Sequence, residues 1–298
     1  MPATPLIGAR RLALIDRVVD LRDHLDRTRE AGLSVGLVPT MGSLHEGHLS
    51  LVRRAAADCD VAVVTVFVNP LQFGPDEDLA TYPRDLEADV ERAAGAGAAV
   101  VFAPSVDEMY RTHSATTVDA GRLADVYEGA SRPGHFGGVA TVVAKLFNGA
   151  GPCRAYFGEK DWQQLLVVRA LVDDLFLPVE VVGCPTVREP DGLACSSRNA
   201  GLAPEERRAA RVLSEALAGA ATLVEAGEDD PDVVRRHVTD TVAREPMVSL
   251  DYAAAVRASD LAPLDRVDGE VRVLVAAQVG ATRLIDNVGV STRGQGAR

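Results

Sequence analysis

The chain has 298 residues, 47% of them hydrophobic, which is enough for one large or two ordinary domains with a sizeable core and excludes a disordered chain. Its 31 Lys and Arg against 43 Asp and Glu leave a net charge of −12. Such a surface has no general attraction for a polyphosphate backbone, so a nucleic-acid coat is excluded and an anionic ligand needs a local cluster of cations. Cys59, Cys153, Cys184 and Cys195 form no C-x-x-C pair, which fits neither a disulfide scaffold nor a cysteine zinc site and points to a reducing cytoplasm. No membrane span is expected, because the longest apolar stretch, residues 61–68, is far below the roughly 18 residues required. Asp16 interrupts the short apolar run after Arg10 and Arg11, so no secretory leader is expected either.

Residues 16–30 have the spacing of an amphipathic helix stopped by Gly32, and residues 33–38 read as a buried strand broken by Pro39. A helix over 45–58 follows. Residues 61–68, β-branched and nearly uncharged, are the strongest strand signal, as a parallel strand covered on both faces should be. Then come helix 86–94, strand 99–103, helix 138–148, strand 154–157, helix 162–176 and strand 179–184. This alternation predicts an α/β fold, a Rossmann-like parallel sheet with helices on both faces, over residues 1–185. After Pro185 two helices, 204–226 and 232–244, precede β-rich stretches at 250–256 and 271–277, predicting a smaller C-terminal α+β domain over 186–298. The small, polar tail 291–298 is expected to fray.

The most informative stretch is Pro39-Thr40-Met41-Gly42-Ser43-Leu44-His45-Glu46-Gly47-His48, which joins a predicted strand to a predicted helix. Open α/β sheets present backbone N–H groups to ligands at such junctions. Ser43 and Glu46 have capping-box spacing, which would start the helix just after Ser43 and set His45 and His48 on its first turn, where imidazole and amide donors suit phosphate oxygens. Zinc binding through H-E-x-x-H needs i, i+4 spacing, whereas these histidines are at i, i+3. Gly42 and Gly47 match the glycines of a P-loop, but His48 and Leu49 replace its Lys and Ser/Thr. Two surface histidines beside a helix cap are the plain structural alternative.

The histidine-rich helix start resembles the H-x-G-H signature of nucleotidyltransferase-like enzymes. That resemblance implies a second, distant loop closing on the triphosphate, for which Gly158-Glu159-Lys160-Asp161 and Ser196-Ser197-Arg198-Asn199 are the candidates. Together with Phe67-Val68-Asn69-Pro70-Leu71-Gln72-Phe73-Gly74, Arg132-Pro133-Gly134-His135-Phe136, Phe157-Gly158-Glu159-Lys160-Asp161-Trp162-Gln163-Gln164 and Ser196-Ser197-Arg198-Asn199, in this order, the chain from about residue 30 onward resembles the pantothenate synthetase (pantoate–β-alanine ligase) family. The resemblance implies an ATP- and Mg2+-dependent ligase that adenylates pantoate, releases pyrophosphate, and lets β-alanine displace AMP. It also implies a homodimer, no nucleic-acid or membrane partner, and a C-terminal domain acting as a lid over ATP.

By the same resemblance, Met41, Gly42, Ser43, Leu44, His45, Glu46, Gly47 and His48 line the ATP site, with His48 catalytic and His45 its companion. Gly158, Glu159, Lys160 and Asp161 approach the phosphates and ribose. Val187 offers backbone contacts to adenine, Ser196, Ser197 and Arg198 form a phosphate-clamping loop beside Cys195 of the nucleotide site, and Lys160 and Arg198 are the catalytic cations. Cys195 departs from the family's usual Met; both are soft and apolar, so wall packing is expected to survive. Gln72 and Gln164 resemble the pantoate-binding glutamines, and Arg132 to His135 part of the pantoate and β-alanine wall. Asp85 and Asp89 read as a charged helix face rather than magnesium ligands, and no protein ligand of Mg2+ is identified. A nucleotidyltransferase that stops at a nucleotide-linked product and a non-catalytic nucleotide sensor are the competing readings.

Overall fold

The computed structural model describes residues 12–292 apart from 76, 78, 112 and 113; Arg10, Arg11 and the tail beyond Thr292 lie outside the described residues. In chain order the elements are β1 (Ala13–Ile15), α1 (Val18–Glu30), β2 (Val35–Val38), α2 (Glu46–Asp58), β3 (Val61–Thr65), α3 (Leu86–Gly95), β4 (Val100–Phe102), α4 (Val106–Met109), α5 (Glu128–Ser131) and α6 (His135–Ala150). They continue with β5 (Cys153–Gly158), α7 (Trp162–Asp174), β6 (Val179–Cys184), α8 (Pro204–Ala210), α9 (Val212–Glu225), α10 (Pro231–Val242), β7 (Val248–Arg257), β8 (Glu270–Val279) and β9 (Thr282–Ser291).

The chain packs into two compact units. The first holds the chain up to Val118 together with Gly138–Phe157 and Leu171–Cys184. The second takes Asp119–Gly137, Gly158–Ala170 and everything from Pro185 onward. The composition change near Pro185 therefore marks the last crossing between units. Two earlier excursions, carrying Arg132 and Lys160, also pack with the second.

In the first unit six strands form one sheet in the order β1-β4-β3-β2-β5-β6. Its registers are parallel, with Val35 opposite Val61 and Val63 opposite Val100. Every residue of β2, β3 and β4 is buried, so both faces of the sheet centre are covered, as the Val-rich, charge-free sequence requires. On one face Leu51, Val52 and Ala55 of α2 pack with Val38, Val64 and Val101. The run expected as strand to residue 68 ends at Thr65, because the Thr40 hydroxyl donates to the Thr65 carbonyl (2.5 Å) and Thr40 N donates to Thr65 Oγ1 (3.1 Å). These side-chain bonds join the backbone bonds that continue just past the strand, Val66 N to the Phe102 carbonyl (2.8 Å) and Phe67 N to the Thr40 carbonyl (3.2 Å). The short apolar run before Asp16 forms β1, an unanticipated edge strand paired with β4.

In the second unit β7, β8 and β9 form an antiparallel sheet. Leu213, Leu217, Val234 and Val238 of α9 and α10 cover the face that carries Val273 and Val275. Leu274 and Val256 project to the other face, against Leu166 and Trp162. Two expectations need correction. The helix over 204–226 is interrupted at Arg211, and no proline or glycine there explains the break. The sheet also has a third strand, β9, joined to β8 by the two residues Gly280 and Ala281, with φ of +56° at Gly280. Two-residue hairpin turns favour glycine because they need positive φ.

A side chain at Gly138 has no room, since its Cβ would lie 2.2 Å from the Leu71 carbonyl oxygen. Gly138→Ala is expected to destabilise the protein by roughly 1–3 kcal/mol through overpacking, read as a fall of several degrees in Tm. An unchanged Tm would show that α6 can shift without cost.

Candidate active site

The loop leaving β2 is held almost entirely by groups from elsewhere in the first unit. Gly42 and Ser43 both adopt positive φ, +84° and +51°, which turns successive amides the same way. Asp89 of α3, only 2% exposed, accepts from Ser43 N (2.9 Å) and Leu44 N (2.7 Å). One turn later Arg92 donates to the Leu44 carbonyl (2.7 Å), so a single helix face grips both the donors and an acceptor of the loop. Gly42 N donates to Thr40 Oγ1 (3.1 Å), and a Cβ at Gly42 would lie 2.7 Å from the Asp89 carboxylate. Asp89 is therefore a buried loop anchor, which corrects its reading as part of a charged face. Asp85 caps α3 by accepting from Ala88 N (3.0 Å).

The helix start also differs from expectation. Ser43 is in the left-handed region and its amide serves Asp89, so the Ser43–Glu46 capping box does not form; Glu46 instead pairs with Arg53. The N-cap is His45, whose Nδ1 accepts from Gly47 N (3.2 Å). Accepting at Nδ1 leaves the proton of the neutral ring on Nε2, so His45 presents a donor beyond the helix start. His48 stacks on it, with ring centroids 4.0 Å apart. Asp89, Thr40 and His45 thus take the amides of Gly42, Ser43, Leu44 and Gly47, and the first-turn amides of Glu46 and His48 lie beside the two imidazoles at the helix start.

Gln72 follows β3 in a single turn of tight helix, Pro70–Gln72. Its Nε2 lies 2.9 Å from Met41 Sδ and its Oε1 accepts from Asn69 Nδ2 (3.1 Å). The buried Asn69 also donates to the Gly138 carbonyl (3.0 Å) and accepts from the Tyr110 hydroxyl (2.7 Å). Burial pushes the Tyr110 pKa up to about 12, which keeps that hydroxyl a donor.

In the second unit, Lys160, Asp161, Gln164 and Arg198 line one cavity together with Arg132 and His135. Lys160 Nζ lies 3.6 Å from Asp161. Arg132 is held by the buried Glu128 (3.4 Å) and by His135 Nε2 (3.1 Å). Glu128 is also gripped by both Nη atoms of Arg283 at 2.8 Å. Burial works against the Arg283 charge, but Glu128 and Asp251 overcome it and raise its pKa. Ser196 caps the turn Ser197–Gly201 by accepting from Arg198 N (3.3 Å). Asn199 anchors that turn to the Ala194 carbonyl (3.0 Å) and Glu189 (2.6 Å), and Arg207 of α8 holds Glu189 and Asp191. Val187 lies beyond β6, its carbonyl accepting from Cys195 N (2.9 Å), so the expected adenine contact and the residue at the family's Met position sit across one backbone bond. Cys195 is buried.

Thus Lys160, Asp161, Gln164 and Arg198 share one cavity, His45 and His48 share one helix start, and Gln72 meets Met41. Asp89, Arg92, Asn69 and Asn199, which hold these residues in place, were not among the expected site residues. Asn69 and Asn199 lie inside the sequence motifs without being singled out; Asp89, Asn69 and Asn199 prove buried, while Arg92 is exposed and reaches the loop only through its guanidinium.

A doubly wound parallel sheet with ligand-ready loops at the carboxyl ends of its strands is the architecture of nucleotide-handling α/β enzymes. Residues 13–289 match the family described as pantoate-beta-alanine ligase, and the chain belongs to that family. It is 53% identical over 277 residues to the pantothenate synthetase of Moorella thermoacetica, covering 93% of this chain and 98% of that one. It is 54% identical over 276 residues to the pantothenate synthetase of Rubrobacter xylanophilus, covering 90% and 95%. Among solved structures, pantothenate synthetase from Thermus thermophilus is similar with a TM-score of 0.88 at 49% identity, over 93% of this chain and 99% of that one. Pantoate-beta-alanine ligase from Francisella tularensis, complexed with beta-gamma ATP and beta-alanine, gives 0.76 at 31% identity, over 93% and 97%.

Asp89→Ala would strand the Ser43 and Leu44 amides. It is expected to cost about 1–3 kcal/mol of stability and to raise the KM for ATP. A variant with wild-type stability and KM would remove Asp89 as the loop's anchor.

Proposed function

We propose that the chain condenses pantoate with β-alanine, using ATP, through a pantoyl adenylate, and so supplies a precursor of coenzyme A. The observation that carries this reading is family membership across residues 13–289, with Lys160, Gln164 and Arg198 lining one cavity. Topology supports it too: β2 and β5 are neighbours in the sheet, β2 running into the His45–His48 segment and β5 into Glu159-Lys160-Asp161. Between such strands the order reverses, and there open α/β sheets bind their ligands.

A pantoate carboxylate oxygen attacks the α-phosphorus of ATP, and the bond to the β-phosphate oxygen breaks to release pyrophosphate. The β-alanine amine then attacks the acyl carbon; the C–N bond forms, the C–O bond to AMP breaks and the amine loses a proton. Adenylation replaces a poor leaving group by a good one. Lys160, Arg198 and the hydroxyls of Ser196 and Ser197 neutralise the phosphates; His48, with His45 beside it, donates to the charge that develops as pyrophosphate departs. Met41 to His48, Gly158 to Asp161, Val187 and Cys195 complete the nucleotide contacts. The amides of Gln72 and Gln164 bind pantoate's carboxylate and hydroxyls.

Among the described residues no group of three or more His, Cys, Asp or Glu could hold a metal, so the chain's own donors do not fit a dedicated magnesium cage. Mg2+ is assigned to the nucleotide, whose phosphates and water are its usual ligands. We infer a homodimer from the family resemblance. A cytoplasmic setting is supported by four free cysteines, and no helix among the described residues is long and apolar enough to cross a membrane.

AMP release from Mg–ATP should require both pantoate and β-alanine. Pyrophosphate release that is indifferent to β-alanine would instead indicate a nucleotidyltransferase. His48→Ala or Lys160→Ala should lower turnover by roughly 10²–10³-fold, and near-wild-type rates would defeat those assignments. Gln72→Ala and Gln164→Ala should chiefly raise the KM for pantoate; an unchanged value would remove them from the site.

A further inference from the structure

Consecutive residues of β9 grip two of the loops just described. Asp286 takes the Arg188 guanidinium in a two-pronged pair, Nη1 to Oδ2 at 2.7 Å and Nη2 to Oδ1 at 3.1 Å. Arg188 follows Val187 at the base of a hairpin whose other arm returns through Ala194 and Cys195 into Ser196-Ser197-Arg198. The hairpin is closed by Cys195 N on the Val187 carbonyl (2.9 Å) and by Arg188 Nη1 on the Gly192 carbonyl (3.2 Å). The Asp286 pair therefore fixes the base on which Arg198 stands.

Asn287 acts on the other loop. Its Nδ2 donates to the carbonyls of Glu159 (3.0 Å) and Lys160 (2.7 Å), holding the backbone from which the lysine side chain departs. Its Oδ1 accepts from Arg272 Nη1 (2.9 Å), which orients the amide so that both of its N–H groups face the loop. Arg272 is itself fixed: its guanidinium carbon lies 3.4 Å from the Trp162 ring centroid and its Nη2 reaches Glu159 (3.2 Å). Asn287 N donates to Asp286 Oδ1 (2.8 Å), so the two grips share a link. Both residues are nearly inaccessible, 6% and 4% exposed, and both line the cavity that holds Lys160 and Arg198.

A buried amide that only stabilised the sheet would bond within the sheet. Asn287 instead directs both of its donor bonds to the backbone of the Lys160 loop. We infer that Asp286 and Asn287 are positioning residues that set the separation of Lys160 and Arg198, matching the two cations to neighbouring charges of the triphosphate. This rests on the assignment of those cations to ATP. A small displacement of positioned charges is enough to lose much of their effect on a transition state.

The test is a pair of double-mutant cycles on the full-length enzyme. Asn287→Ala is expected to lower kcat/KM for ATP by about tenfold or more while the KM for pantoate stays within about twofold. Added to Lys160→Ala, it should cost less than about twofold further, because the group it positions is gone. Likewise Arg188→Gln, at a partly exposed side chain, should lower kcat/KM for ATP in the native background and add little to Arg198→Ala. Losses of equal size in both backgrounds, or an equal rise in the pantoate KM, would overturn the inference. If Asn287→Ala fails to fold, the Arg188 cycle decides alone. Lys160→Ala at wild-type rate would sink the assignment of Lys160 to ATP, a result distinct from additive cycles.

Discussion

A strand buried on both faces must pass its chain to a loop whose amides and carbonyls still need hydrogen-bond partners, and in this protein that requirement governs the site. Helices and strands meet it internally; the functional loops do not. Each is completed by a buried polar side chain: from a distant element in Asp89 for Ser43 and Leu44 and Asn287 for Glu159 and Lys160, and from within the loop itself in Asn69 for the segment around Gln72 and Asn199 for the Arg198 turn. Three of the four are asparagines, which can donate and accept at one position and bring no charge to be neutralised.

The second governing feature is the contrast between a chain of net charge −12 and a cavity lined by Arg132, Lys160 and Arg198. Acidic partners of the surrounding arginines keep this concentration of cations tolerable. Glu128 sits between Arg132 and Arg283, Asp286 takes Arg188, and Glu159 takes Arg272, whose pKa burial lowers while that bond opposes the fall. Ion pairs of this kind contribute modestly to stability, but they fix guanidinium planes.

Much of the architecture was legible because its cause is local. Alternating Val-rich runs and amphipathic stretches gave away the parallel sheet, and the residues of β2, β3 and β4 are buried as their lack of charge implied. The candidate donors could be picked out as strings: His45 and His48 prove to share one helix start, and Lys160 and Arg198 one cavity. What stayed hidden depends on distant partners. Asp89 has the sequence context of a solvated helix face and becomes buried only because a loop 45 residues earlier folds against it. Strand β9 escaped notice because Asp286, Asn287 and Gly289 spoil its apolar alternation. The N-cap was misplaced by two residues because Ser43 and Glu46 have the right spacing, while the backbone at Ser43 has the wrong hand.

The two-residue turn between β8 and β9 thus acquires a task beyond closing a hairpin. Side chains alternate across a strand, so sliding β9 by a single position along β8 would exchange the faces to which the acid and the amide at 286 and 287 project. The sheet would keep most of its hydrogen bonds, and the chain would still look folded. Yet the carboxylate would point where the amide belongs. The placement of the Arg188 hairpin and the Lys160 loop is therefore set partly by a tight loop at Gly280 and Ala281 that carries no chemistry of its own, and one residue inserted there would disturb the cavity while changing none of the side chains that line it.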